Sequence, residues 1–286
     1  MAVIRYGKFL IIVVFFTGIV FCAASALASE ESTVGKDKFR LNVGAFLPAI
    51  DSELSITSKS LGSGTKIDLE GDLGFDADVS LFRLDGYWRF APRHRLYFGY
   101  YGFDRDASKR LTDQIEIGDK LFDVGVSVST NWAMDFFQVS YAYSFLQSKK
   151  WEIAGSLGLY YLDTAATLRG EGSISDGQGG WTAARQVTEE ESIGLPVPIF
   201  GLAADYHITP KWCAKVRGSY FTLSIDEWSG HILEGSAALE YLFHKNFGIG
   251  TAYNYFDVEV DRDTTARISE LDYMFQGVQI YGIWYF

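Results

Sequence analysis

FQVSYAYSFLQSKKWEIAGSLGLYY, residues 137–161, reads as two β-strands joined by one turn. Phe137, Val139, Tyr141, Tyr143 and Phe145 alternate with Gln138, Ser140, Ala142 and Ser144. After the turn QSKK (147–150), Trp151, Ile153, Gly155, Leu157, Leu159 and Tyr161 alternate with Glu152, Ala154, Ser156, Gly158 and Tyr160. A period of two puts one set on each face of a sheet. One face is apolar along its whole length and ends in Phe145 and Trp151 beside the turn. The other is small and polar and carries a glutamate.

The same pattern recurs along the chain. Phe39, Leu41, Val43, Ala45 and Leu47 oppose Arg40, Asn42, Gly44 and Phe46. Phe82, Leu84, Gly86, Trp88 and Phe90 oppose Arg83, Asp85, Tyr87 and Arg89. Further alternating segments lie at 96–105, 195–207, 212–224, 231–243 and 247–259, and a last one runs from about 270 to the terminal Phe286. Ten strands result, each about the 9–11 residues that a membrane-crossing β-strand needs; eight and twelve are the alternatives. An extra hairpin from 52–58 and 65–71 is the source of the higher count. Four tight turns (91–95, 147–150, 208–211, 244–246) alternate with longer connections near 48–78, 106–131, 166–194, 225–230 and 260–269. An exported β-sandwich would also alternate, but has no reason to sort its turns by length.

The first residues bear on the compartment. Arg5 and Lys8 precede an apolar run from Phe9 to Cys22, and Ala26-Leu27-Ala28 supplies a cleavage pattern. This reads as a secretory signal peptide over 1–28, followed by a short segment 29–37 and a barrel over 38–286. The run is short for a spanning helix. The formal net charge is −11, and loss of Arg5 and Lys8 with the leader lowers it by two more. Such an acidic chain is a poor partner for nucleic acid. Past the leader only Cys213 remains, so no internal disulfide is expected. Aromatic residues make up 16 % of the chain, with 29 Gly and 5 Pro, a composition that fits a transmembrane up-and-down antiparallel β-barrel.

The aromatic residues support this all-β reading. Trp88, Phe90, Trp151, Trp212, Phe243, Trp284 and Phe286 lie beside short turns or the C-terminus, all on the apolar face. Flat amphipathic rings collect at a membrane interface in this way. On these residues the chain resembles the bacterial outer-membrane β-barrel proteins as a class, over 38–286. The final eight residues, QIYGIWYF, resemble the class's terminal sorting pattern at Gln279, Trp284 and Phe286, with Tyr281 where the pattern has Gly. The resemblance implies an outer-membrane location, periplasmic termini and extracellular long loops. It also implies contact with outer-membrane lipid and lipopolysaccharide, and delivery to the barrel-assembly machinery through Phe286. It identifies no subfamily and no oligomeric state.

The polar face carries charges of both signs: Arg40, Arg83, Asp85, Arg89, Arg105, Glu152, Asp205, Lys215, Arg217, Glu234 and Glu240. In a narrow barrel such charges must pair. A hairpin around 225–230 is expected to bring Lys215 and Arg217 near Glu240. Ten strands lie near the filled end of the size range, since about eight leave room only for side chains. A filled, structural barrel with at most a narrow passive channel is therefore expected.

Three other features point elsewhere. His231, with Asp226 and Glu227 nearby in sequence, is a candidate acid–base group for an outer-membrane hydrolase of lipid or peptide. His94, His207 and His244 border short turns. Asp68, Glu70 and Asp72 share the spacing of a calcium loop, but Leu73 stands where that loop needs Gly and Val79 where it needs Glu. The bland reading of 68–78 is a solvated acidic loop. The Gly- and Ser-rich loop 169–192, with Trp181, suggests a module that binds a partner through its loops. No cofactor motif is found.

Overall fold

A computed structural model describes residues 37–58, 63–111, 115–117, 120–122, 124–175, 181–265 and 267–286. The expected leader and residues 29–36 lie outside the described residues. The strands are β1 (Phe39–Ser58), β2 (Ser63–Asp68), β3 (Leu81–Ala91), β4 (His94–Arg110), β5 (Ile115–Ile117), β6 (Lys120–Phe122), β7 (Ser127–Gln147), β8 (Trp151–Ser175), β9 (Trp181–His207), β10 (Trp212–Ile225), β11 (Trp228–His244), β12 (Phe247–Asp263) and β13 (Arg267–Tyr285). The described residues contain no helix.

Ten of these strands form a closed antiparallel ring in chain order, β1-β3-β4-β7-β8-β9-β10-β11-β12-β13. The ring closes where β13 pairs with β1, from Arg40 opposite Tyr285 to Ser58 opposite Arg267. Closure removes the free outer edges of the sheet, which lipid cannot hydrogen-bond. The fold is an all-β, up-and-down, ten-stranded barrel. β2, β5 and β6 lie outside the ring, with β2 folded back on the upper half of β1 as a hairpin.

Alternation sorts the side chains. Large apolar residues such as Leu47, Phe82, Phe137, Leu159, Phe200 and Ile280 point outward and are exposed, while Arg40, Arg89, Glu152 and Glu240 point inward and are buried. On β8 the outward run extends from Trp151 to Tyr161. Ten steps of about 3.3 Å, tilted by about 40°, give the roughly 25 Å of an apolar membrane belt. Trp88, Phe90, Trp212, Phe243 and Phe286 are exposed at the lower end of this belt. Trp151 and Trp284 share that end and are partly covered, Trp151 by Tyr206 at 4.4 Å between ring centroids.

The structure corrects three expectations. The connections near 106–131, 166–194 and 260–269 are largely strand, because the hairpins continue past the belt: β8 and β9 are 25 and 27 residues long. The expected loop 225–230 is a tight turn at Asp226 and Glu227, with Ile225 directly opposite Trp228 and Asp226 at φ 51°. Arg95, which the sequence places in a turn, is the second residue of β4 and faces the interior with 0 % exposure. A further break in the wall has a clear cause. β9 pairs with β10 only over Phe200–His207, and Pro196 and Pro198, which lack the N–H a ladder needs, stand next in the chain.

Candidate functional site: a three-tiered lumen

The interior is layered. At the lower end the inward residues nearest the short turns build an ionic floor. Arg40 grips both carboxylate oxygens of Glu240, one of them at 3.0 Å from Nη1. Lys215 lies 3.3 Å from the same carboxylate, and the Tyr281 hydroxyl donates to it at 2.8 Å. Beside this cluster Arg89 donates to both oxygens of Glu152 at 2.8 and 3.0 Å. Arg95 bridges Glu152 at 3.6 Å and Asp205 at 3.2 Å. Asp37 closes the network from below, 3.7 Å from Arg89. Charges so deeply buried persist only when paired and hydrogen-bonded, and strands far apart in sequence supply the partners.

Tyr281 takes its place because its neighbours are glycines. Gly44 and Gly250 lie opposite it on β1 and β12. A Cβ on Gly250 would fall 2.4 Å from the Tyr281 ring, and one on Gly44 would fall 2.6 Å from the Tyr281 Cβ. The tyrosine that departs from the sorting pattern is thus a lumen residue that covers two glycines and reaches the floor.

The upper tier is aromatic. Phe136 stacks on Tyr101 with centroids 4.6 Å apart, Phe256 stacks on Phe275 at 4.7 Å, and the two pairs meet edge-on at 5.4 Å. Above them, Phe103 stacks on Tyr273 at 5.9 Å. Segment 69–80 folds over this end, burying Leu69, Leu73 and Phe75 in the same apolar cluster. Glu70 fastens it: its carboxylate accepts from Arg105 at 2.6 Å and from the Ser52 backbone and hydroxyl at 2.9 and 2.7 Å. Asp68 and Asp72 shape the turn, Asp68 accepting from Gly71 N at 2.7 Å and Asp72 from Asp68 N at 2.9 Å. The carboxylates with calcium-loop spacing are therefore engaged by protein donors. No group of three or more metal-ligating side chains occurs among the described residues.

Between floor and ceiling, small residues leave a polar chamber of about 90 Å³. Asp85 accepts from Asn42 at 2.7 Å and lies 3.6 Å from Arg83. Glu234 accepts from the Tyr160 hydroxyl at 2.6 Å and lies 3.9 Å from Arg83. Arg217 corrects the expected pairing. It stands opposite Ser236, while Glu240 stands opposite Cys213, and its guanidinium lies 4.9 Å above the Tyr97 ring.

His231 is on the outer face of β11 above the belt, 3.9 Å from Glu259. Asp226 and Glu227 are not brought to it. They form the hairpin tip, Glu227 lies 3.9 Å from Arg262, and three residues of strand, about 10 Å, separate His231 from Trp228 at the tip's edge. Side chains of 171–195, Trp181 among them, lie outside the described side chains. Sequence reasoning missed Arg95 and the folding-in of 69–80; the alternation Leu69, Leu73, Phe75 within an acidic stretch is the available sign of the latter.

The sequence matches no protein-family model and no curated protein. Solved structures do match. The outer membrane protease OmpT from Escherichia coli superposes with a TM-score of 0.52 at 10 % identity, over 92 % of this chain and 99 % of that one. The outer membrane protein OprG from Pseudomonas aeruginosa gives 0.38 at 10 % identity, over 90 % and 98 %. The P. putida toluene transporter TodX gives 0.37 at 8 % identity, over 87 % and 90 %. The chain has the fold of the bacterial outer-membrane β-barrels.

Proposed function

We propose that this chain is an integral outer-membrane barrel with a structural or surface role, closed to solutes. The carrying observation is the double closure of the lumen, by the ionic floor at one end and by the aromatic ceiling with segment 69–80 at the other. Ten strands enclose little free width, and here charged and aromatic side chains occupy it. The short turns face the periplasm and the long hairpins, above all β8–β9, project outside. The belt contacts outer-membrane lipid, and the hairpins rise among lipopolysaccharide. Phe286 presents the terminus to the barrel-assembly machinery. A role in binding a partner through these hairpins is compatible with the same closed barrel.

Folded protein in planar lipid bilayers is expected to show no discrete conductance steps. Steps seen with protein that still migrates as the compact, heat-modifiable form on gels contradict a closed lumen. A hydrolase reading rests on His231 and Glu259 alone. It requires turnover of lipid or peptide that His231→Ala abolishes, and unchanged turnover in that variant removes this residue.

A further inference from the structure

The short turns share a chemistry that the ionic floor does not use. Each carries a cation and none carries a carboxylate: Arg93 between β3 and β4, Lys149 and Lys150 between β7 and β8, Lys211 between β9 and β10, and Lys245 between β11 and β12. Lys38, just before β1, adds one more at the same end. Lys150 is half-buried and the other five are exposed. None of these five side chains has an ion-pair partner among the described residues. The floor above them is balanced without them, Arg40, Arg89, Arg95 and Lys215 meeting Asp37, Glu152, Asp205 and Glu240. Adding Glu30, Glu31 and Lys36 of the preceding segment and a carboxylate on Phe286 still leaves this end positive, on a chain of formal net charge −11. The outward carboxylates gather at the other end, where Glu259 stands opposite Asp272 and Asp261 opposite Glu270.

Depth and distribution choose the partner. Lys150 adjoins Trp151, Lys211 adjoins Trp212, Lys245 follows Phe243 by two residues and Arg93 follows Phe90 by three. Three residues of extended chain span roughly 10 Å at most, and less along the membrane normal once strand tilt is counted. The cations therefore stand beside the aromatic girdle at the depth of the headgroup layer, which adds about 5–8 Å to each side of the hydrocarbon core. Long stems can lie against the rings while the charged ends reach the phosphates. The cations also encircle the barrel, since every short-turn hairpin supplies at least one. A soluble acidic partner would press on one side of such a ring, whereas lipid surrounds it. We infer that the short-turn rim binds anionic phospholipid headgroups, its Lys and Arg side chains holding phosphodiesters all round the barrel. The preferred headgroup is one without a cation of its own, such as phosphatidylglycerol, because a zwitterionic headgroup offsets its own phosphate. This deepens the lipid contact proposed above and rests on the reading of the barrel as membrane-embedded.

The test folds full-length protein into vesicles of phosphatidylcholine and phosphatidylglycerol, with one or the other brominated on its acyl chains, and compares the quenching of tryptophan. Trp88 and Trp212, exposed at the short-turn end, report the lipid beside the rim. One Lys or Arg near an anionic surface favours it by about fivefold. The relative association constant of phosphatidylglycerol over phosphatidylcholine is expected to be about three to five at low salt and to fall toward one in about 0.5 M salt. Lys149→Gln, Lys150→Gln, Lys211→Gln and Lys245→Gln together should bring it close to one, and the same four positions changed to Arg should keep it. A wild-type ratio near one at low salt, a ratio indifferent to salt, or a ratio unchanged by the four Gln substitutions each overturns the proposal. So does a wild-type ratio near one with binding to purified peptidoglycan that the four substitutions abolish, which assigns the rim to the cell wall. Should the fourfold variant fail to fold, the two double variants at 149 and 150 and at 211 and 245 decide by the same criterion. No quenching by either brominated lipid overturns the membrane-embedded reading itself, a result distinct from equal quenching by both.

Discussion

Glu240→Gln removes the charge that two buried cations share. The Arg40 side chain is 1 % exposed and that of Lys215 6 %, so neither regains water when its partner is lost. Breaking a buried pair from one side costs about 3–5 kcal/mol. Two stranded cations push toward the upper end, and Asp205, opposite Lys215, pulls back, so a loss of about 4 kcal/mol is expected. Urea unfolding in lipid vesicles, followed by tryptophan fluorescence and by migration of the compact form, measures it. Replacing the whole cluster with apolar residues (Arg40→Met, Lys215→Met and Glu240→Leu together) strands no cation and leaves Asp205 its ion pair with Arg95, so it should recover most of the loss. A single-variant loss under about 1 kcal/mol, the range of a solvent-exposed pair, or a triple variant no better than the single one, refutes the description of the floor as dry and mutually dependent.

Three further outcomes follow from other parts of the barrel. Leu202 is 64 % exposed on the outer wall; Leu202→Arg should destabilise the barrel by about 2–4 kcal/mol if that wall meets the bilayer midplane, and by under about 0.5 kcal/mol if it meets water, as vesicle unfolding will show. Gly250→Ala puts a methyl 2.4 Å from Tyr281, whereas Gly235→Ala meets nothing within 4 Å; the yield of compact barrel should fall sharply for the first and hold for the second. Glu70→Ala leaves the buried Arg105 without its carboxylate and frees segment 69–80; protease added from outside should cut there in the variant and spare the wild type, and equal resistance means the apolar contacts suffice to hold the segment.

How far the sequence could be read depended on what each feature obeys. Alternation obeys the pleat, so the facing of Phe46, Arg89 and Leu159 is legible without a structure. Register is not, because sliding one strand by two residues preserves every facing and only turn geometry chooses between the alternatives. That is why the sequence alone brings Arg217 as well as Lys215 to Glu240. A six-residue connection at 225–230 and a two-residue turn at Asp226–Glu227 differ by one residue in the hairpin centre, hence by two in each partner. Lys215 still reaches Glu240 along the diagonal, and Arg217 does not. Arg95 was hidden by the proline and arginine before it, which mark a turn, while the strand resumes already at His94. Segment 69–80 was illegible because burial inside a barrel mouth needs only a few apolar residues, here Leu69, Leu73 and Phe75, scattered among acids whose own partners come from distant strands.

The pairing of Arg40 with Glu240 spans 200 residues, and Arg40 sits on the first strand of the ring beside the last. During insertion Arg40 has no anion at hand until β13 arrives to close the circle and β11 stands across the lumen. A half-built barrel therefore leaves Arg40 without Glu240, and the finished one supplies it. Such dependence on distant contacts slows assembly, but it also makes the seam between β1 and β13 a checkpoint. A strand laid in the wrong order leaves the floor incomplete and the intermediate prone to retreat, so the ion pairs act as proofreaders of closure as well as ballast of the closed state.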